Sequence, residues 1–224
     1  MVDISRAYFN ARTTDEHPVY VELPPEDPDY VKDLCGRRNV HMYGTRPAAD
    51  GWHCEYSSTL RELGFEVGQS SACLFWHKER QILSSVHGDD FTILGHQEDL
   101  DCFKAQITSK YEIKLKARLG PGSNDDKEVR ILNRVVYWDE KGIHYEADQR
   151  HSEIIIKQLG LDRNKKSVVT PGVSNDNSKD EEGDEEELDE KASTMYRAAT
   201  ARGNFLSQDR FDIKYAVKEL SRRM

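Results

Sequence analysis

The amino-acid sequence predicts an α+β fold: an antiparallel sheet with helices packed on one of its faces. Apolar and polar residues alternate along short runs such as 19–23 and 111–116, which is typical of half-buried strands. Apolar residues recur at spacings of three and four in 48–63 and 97–110, which indicates amphipathic helices. The mixed order of strands, helices and hairpins favours the α+β class over a regular βα repeat.

The N-terminal half contains the strands that carry the candidate site. Residues 2–11 are predicted to be the end of a strand that runs into a short helix. Trp52 lies on the apolar face of helix 48–63 and is predicted to be a core residue. Residues 82–95 are predicted to form a β-hairpin with its tight turn at or beside Gly88, because two apolar, β-rich runs flank that residue.

The C-terminal half is predicted to begin with a hairpin and to end with helices. We predict one strand over 129–138, a turn at 139–142 and a returning strand over 143–147. Helices are predicted over residues 149–160, 195–206 and 212–224.

The net charge of −9 comes from one short segment. Residues 180–190 hold nine acidic residues and no basic one, and without them 32 acidic residues face 32 basic residues. Blocks of like charge are typical of disordered, solvated linkers. We therefore expect three regions: a core over 1–172, an acidic disordered linker over 173–192, and a helical connection segment over 193–224.

The cysteines and the hydropathy indicate an intracellular protein. The four cysteines form no CxxC pair, so we expect reduced and mostly buried thiols and no zinc site. We find no signal peptide and no apolar run of membrane-spanning length. We expect a cytoplasmic or nuclear location without membrane contact.

Two adjacent carboxylates at the hairpin tip are the first candidate for chemistry. Asp89 and Asp90 repel each other at close range, and a divalent cation would remove that repulsion. The pair therefore suggests a Mg²⁺ site for phosphoryl or nucleotidyl transfer. Gly and Asp are also common turn formers, so turn chemistry alone is the simpler interpretation of this pair.

A third acid adds weight to the metal interpretation. Asp3 ends a strand that could neighbour the hairpin in one sheet, and three carboxylates there would suit Mg²⁺. Two such ions can activate a 3′-hydroxyl and stabilise a leaving pyrophosphate. Tyr8 could pack under a sugar and exclude a 2′-hydroxyl, and Arg46 could contact phosphate. Taken singly, a core aromatic is the simpler interpretation of Tyr8, and a solvated side chain is the simpler interpretation of Arg46.

An ordered series of motifs resembles the reverse transcriptase of copia-type LTR retrotransposons, a part of their Pol polyprotein. Residues 2–10 resemble the family's first motif, in which an aromatic residue follows the catalytic Asp. Further matches are Pro24-Pro25, residues 43–52 against YGLKQAPRAW, residues 63–65 and 73–75, residues 86–90 against YVDD, Thr170-Pro171, and residues 195–197 and 209–222. The series spans nearly the whole chain in the family's order.

The resemblance implies an RNA-directed DNA polymerase palm that uses two Mg²⁺ or Mn²⁺ ions. It implies Asp3, Asp89 and Asp90 as catalytic, metal-binding residues and Tyr8 as the sugar gate. Residues 43–46, including Tyr43 and Arg46, would lie near the dNTP and the template. The partners implied are an RNA template, a DNA primer and a dNTP. Lys114 or Lys116 would be a proton donor near the triphosphate.

This chain departs from the family pattern beside the site. His87-Gly88 stands where the family has Tyr-Val, and Pro47, Ala49 and Asp50 replace a Gln, a Pro and a basic residue. We expect the upstream fingers and the downstream RNase H domain to be missing. The sequence leaves open an active polymerase fragment, a catalytically silent remnant that binds nucleic acid, and a viral-type RNA-dependent RNA polymerase.

Overall fold

The computed structural model describes residues 1–16, 18–32, 34–161, 170, 187–222 and 224. The chain divides into two compact units, Met1–Arg118 and Leu119–Met224. The predicted boundary at residue 172 and residues 173–186 of the predicted acidic linker lie outside the described residues.

The first unit is built on a six-stranded antiparallel sheet. In chain order the strands of the first unit are β1 (Val2–Ile4), β2 (Tyr20–Glu22), β3 (Cys35–Arg37), β4 (Glu66–Val67), β5 (Leu74–His77), β6 (Ile82–His87), β7 (Asp90–Leu94) and β8 (Ile113–Leu115). The α-helices of this unit are α1 (Ala48–Glu62) and α2 (Gln97–Lys110). The sheet order is β4-β5-β6-β7-β1-β8, and β2 and β3 form a separate ribbon. The predicted α+β class is confirmed.

One face of this sheet carries the core. Alternate residues of the strands, such as Ile82, Val86 and Phe91, are buried in one apolar cluster. Trp52 from α1 and Phe103 from α2 join the same cluster, as the predicted packing of helices on one face requires. Burial of each such side chain contributes about 1.5–3 kcal/mol, and the alternation leaves the other side chains of these strands on the opposite face.

The predicted hairpin is confirmed with its turn at Gly88. Strands β6 and β7 pair in antiparallel register, and His87 and Asp90 form the last pair before the turn. Gly88 has φ +63°, a left-handed conformation that glycine adopts without the steric cost of a Cβ. The turn therefore leaves Asp89 and Asp90 at the edge of strand β7.

A close approach between helix α1 and a loop residue also requires a glycine. A Cβ added to Gly51 would lie 2.2 Å from Nε2 of His41. The His41 ring is buried, with 7% of its surface exposed, so it has little room to move away. Position 51 thus accepts no larger residue without a shift of the loop or the helix.

The described residues of the second unit form a three-stranded sheet and three α-helices. Its elements are β9 (Glu128–Ile131), β10 (Arg134–Asp139), β11 (Gly142–Glu146), α3 (Gln149–Gln158), α4 (Glu190–Leu206) and α5 (Lys214–Ser221). The sheet order is β11-β10-β9 with antiparallel pairing. Asp189 caps α4 by accepting a hydrogen bond from the Ala192 amide, so this helix begins at Glu190, before the predicted start at residue 195.

The prediction of one continuous strand over residues 129–138 is wrong. Leu132 and Asn133 have φ values of 48° and 67°, so the chain reverses there and β9 and β10 form a hairpin. Two successive left-handed residues make this tight turn, and Asn tolerates that conformation better than most residues. The sequence predicted a continuous strand here because the turn lies within a run of apolar residues and contains no glycine.

The cysteines are more exposed than expected. Cys35, Cys54 and Cys73 are exposed and Cys102 is intermediate, so the prediction of mostly buried thiols is wrong. Within the described ranges, no helix combines the length and the apolar character needed to cross a membrane.

Candidate active site

Asp3 and Asp90 lie directly opposite each other on neighbouring strands. The register of β1 and β7 pairs Asp3 with Asp90 and Val2 with Phe91. Because Val2 and Phe91 are buried in the core, the alternation of side chains puts both carboxylates on the open face of the sheet. Their side chains are partly exposed, at 18% and 24%. Two acids that are distant in sequence therefore meet on one accessible surface.

The turn that carries Asp89 is fixed by two hydrogen bonds. The Ile4 amide donates to the Asp89 carbonyl at 2.8 Å, which ties the turn to β1. The indole Nε1 of Trp52 donates to the Gly88 carbonyl at 2.8 Å, which ties the turn to helix α1. The backbone of the turn is thus held by both the sheet and the helix beneath it.

One ammonium group joins the two facing carboxylates. Nζ of Lys116 lies 2.6 Å from Oδ1 of Asp90 and 3.0 Å from Oδ2 of Asp3. The hydrogen bond to Asp90 and then the one to Asp3 raise the pKa of Lys116, so the lysine stays charged. The Lys116 amide donates to the Met1 carbonyl at 3.1 Å, which places this residue just beyond the paired part of β8.

The donor chemistry of this pair suits a hard cation. Carboxylate oxygens are the ligands that Mg²⁺ prefers, and Asp3 and Asp90 already share one positive charge. Among the described residues, no group of three or more His, Cys, Asp or Glu side chains is gathered as a metal site. Asp89 is linked to this pair through its backbone, since its carbonyl accepts a hydrogen bond from the Ile4 amide and it directly precedes Asp90.

Tyr8 and Tyr43 form an aromatic pair close to these acids. Their ring centroids are 4.4 Å apart in an edge-to-face arrangement, and Tyr8 packs against the core. Burial raises the pKa of Tyr43, and the charges of Asp89 and Asp3 raise it further. These charges act on the Tyr43 hydroxyl because it lies within electrostatic reach of both carboxylates.

The other two basic residues predicted for the site, Arg46 and Lys114, form no ion pair with these carboxylates among the described residues. Arg46 is exposed, and in the described part of the chain its guanidinium forms no ion pair with any acid. Lys114 is the direct strand partner of Asp3 in the β1–β8 register, yet it is exposed and forms no ion pair among the described residues. Of the two lysines named from the sequence, only Lys116 contacts the carboxylates.

Sequence reasoning missed two contacts at the site. Trp52 was predicted only as a core residue, and nothing in the helical spacing indicates its hydrogen bond to Gly88. Either Lys114 or Lys116 was expected near the triphosphate, and the contact of Lys116 with both acids was not predicted. The alternation of charged residues along 112–116 was the available signal, because it puts Lys114 and Lys116 on the same face of a strand.

The fold and the site together define a palm-like α+β unit. An antiparallel sheet buries one face under helices and presents a pair of carboxylates on the other. A protein-family model described as Reverse transcriptase (RNA-dependent DNA polymerase) matches residues 1–123. This match covers more than half of the chain, and the chain belongs to that family.

The match ends close to the end of the first compact unit at Arg118, so the family region is the unit that holds the carboxylates. No curated protein matches the chain, and no solved structure matches it.

Proposed function

We propose that the first unit carries the active site of an RNA-directed DNA polymerase of the copia type. The observation that carries the proposal is the pairing of Asp3 with Asp90 on the open face of a sheet in a reverse transcriptase family member. The adjacent Asp89, in a turn fixed by two hydrogen bonds, would complete the set of acids.

The proposed reaction is nucleotidyl transfer from a dNTP to a primer. The primer 3′-hydroxyl loses its proton to water and its oxygen forms a bond to the α-phosphorus, while the bond from that phosphorus to the bridging oxygen breaks and pyrophosphate leaves. Asp3, Asp89 and Asp90 would hold two Mg²⁺ or Mn²⁺ ions. When bound, such ions lower the pKa of the attacking hydroxyl and neutralise charge on the leaving group. The protein supplies a rigid sheet and turn that fix these carboxylates relative to one another.

Tyr8 would select the sugar of the incoming nucleotide. Its ring is held by the edge-to-face contact with Tyr43 and by packing against the core. A fixed aromatic ring beside the carboxylates would leave no room for a 2′-hydroxyl, and Tyr43 and Arg46 would contact the nucleotide or the template. The partners of the site would then be an RNA template, a DNA primer and dNTPs.

Primer extension by the full chain tests the proposal. We expect Mg²⁺- or Mn²⁺-dependent extension of a DNA primer on an RNA template with dNTPs. Asp89→Asn should reduce extension at least about a hundredfold, because one charged ligand is lost while the side-chain size is kept. Asp101→Asn is the matched control, since Asp101 lies on α2 and pairs with Arg118 away from these acids.

Different outcomes separate the candidate functions. Preferred use of rNTPs by the unmutated chain would contradict the reverse transcriptase proposal, and Tyr8→Ala should relax dNTP preference if Tyr8 is the gate. If Asp89→Asn extends the primer as well as the unmutated chain does, the Asp89 carboxylate takes no part in the reaction. If the chain extends nothing with either metal, the proposed activity is absent from it, and a nucleic-acid-binding remnant becomes the better description.

A further inference from the structure

We propose that Lys116 is a positioning residue, an internal counter-ion that holds Asp3 and Asp90 together without a metal and leaves their oxygens when a divalent cation binds. This inference rests on the proposed function, because it concerns metal binding by the same acids. Lys116 competes with the metal for the oxygens of Asp3 and Asp90 and thereby weakens the affinity of the site for metal.

The electrostatics of the facing strands support this role. The strand register brings two carboxylates opposite each other, where their like charges repel. The ammonium of Lys116 lies 2.6 Å from one carboxylate and 3.0 Å from the other, so one positive charge offsets the repulsion. The facing strands can therefore stay paired in the metal-free chain.

The surroundings of Lys116 allow it to leave. Its side chain is 42% exposed, more than that of either acid, so the ammonium can turn into solvent without remaining buried and unpaired. Its backbone stays fixed, because the amide donates to the Met1 carbonyl. Movement of the side chain alone would free Oδ2 of Asp3 and Oδ1 of Asp90 for a metal.

Competition for these oxygens predicts a measurable change in metal affinity. A divalent cation must displace both ion pairs, and two partly exposed pairs together shift an equilibrium by about fivefold to tenfold. Lys116→Met keeps the aliphatic stem and removes the charge. We expect it to tighten Mn²⁺ binding by about that factor, whereas Lys116→Arg should stay near the unmutated affinity.

Mn²⁺ titration of the full chain, followed by electron paramagnetic resonance of the free ion, measures this affinity. Lys114→Met is the matched control, because Lys114 lies opposite Asp3 and forms no ion pair among the described residues. It should change the affinity less than about twofold. Asp3→Asn establishes that the measured ion occupies the proposed site, since it should abolish this binding.

A second measurement uses the unmutated chain, so it does not depend on how a variant folds. Acetylation by a lysine-selective reagent, read by mass spectrometry, reports how readily each lysine presents a free, unprotonated amine. Mg²⁺ should increase the acetylation rate of Lys116 severalfold, because a lysine released from both carboxylates is more accessible and loses its proton more readily, and should leave the rate of Lys114 unchanged.

The outcomes distinguish this inference from the proposed function. If Asp3→Asn abolishes Mn²⁺ binding but Lys116→Met does not tighten it, the counter-ion role is wrong and the metal site stands. Equal tightening by Lys114→Met and Lys116→Met would also overturn the role, because net charge alone would explain it. If the chain binds no Mn²⁺, or Asp3→Asn leaves binding unchanged, both proposals fail.

Discussion

Trp52→Phe removes one hydrogen bond and part of one buried ring at the turn that carries Asp89. Trp52 is 1% exposed, and its indole donates to the Gly88 carbonyl at 2.8 Å. Loss of the hydrogen bond costs about 1 kcal/mol. The space left by the smaller ring costs about 1–2 kcal/mol more. We therefore expect the free energy of unfolding to fall by about 2–3 kcal/mol.

Urea unfolding followed by far-UV circular dichroism measures this loss. With a slope of about 1–3 kcal/mol per molar urea, the midpoint should fall by about 0.7–3 M. Hydrogen exchange of the Ile4 amide, which donates to the Asp89 carbonyl, should also become faster because the turn is less firmly held.

Trp76→Phe is the matched control for this change. Trp76 lies on β5 and is 41% exposed, so the same substitution should cost less than about 0.5 kcal/mol. Equal losses for the two variants would refute the reasoning, and so would an unchanged midpoint for Trp52→Phe. Either result would mean that the indole does not hold the turn.

Two further predictions follow from single contacts. Gly51→Ala should destabilise the chain by about 1–3 kcal/mol in thermal unfolding, because the new Cβ meets the buried ring of His41; an unchanged midpoint would show that the ring can move. Asp89→Asn should lower the pKa of Tyr43 in an ultraviolet titration referenced to Tyr43→Phe, because the carboxylate charge disfavours the phenolate. An unchanged Tyr43 pKa would mean that the Asp89 carboxylate lies too far from this hydroxyl to act on it.

Local patterns in the sequence predicted the elements that hold the acids. The Gly-Asp-Asp run between two apolar strands was enough to predict the hairpin, because the turn needs a residue with positive φ and the strands need alternation. The sequence indicated only that the strand of Asp3 could neighbour the hairpin in one sheet. The observed pairing of Asp3 with Asp90 turns it into a defined register.

Contacts between side chains that are distant in the sequence could not be predicted from local patterns. The hydrogen bond of Trp52 depends on where helix α1 crosses the sheet, which the spacing of apolar residues does not determine. The turn at Leu132 and Asn133 was missed because it contains no glycine and interrupts a run with high strand propensity. Tertiary packing decides the Trp52 contact, whereas the turn at Leu132 and Asn133 is a local feature that strand propensity alone does not reveal.

The position of β1 between β7 and β8 has a consequence for folding during synthesis. This strand precedes the other strands of its sheet in the sequence, and its two partners, β7 and β8, end only at Leu94 and Leu115. Its backbone amides and carbonyls find their partners only after those strands have left the ribosome. Assembly of the carboxylate pair is therefore a late, long-range step, which makes it slow compared with formation of the local β6–β7 hairpin.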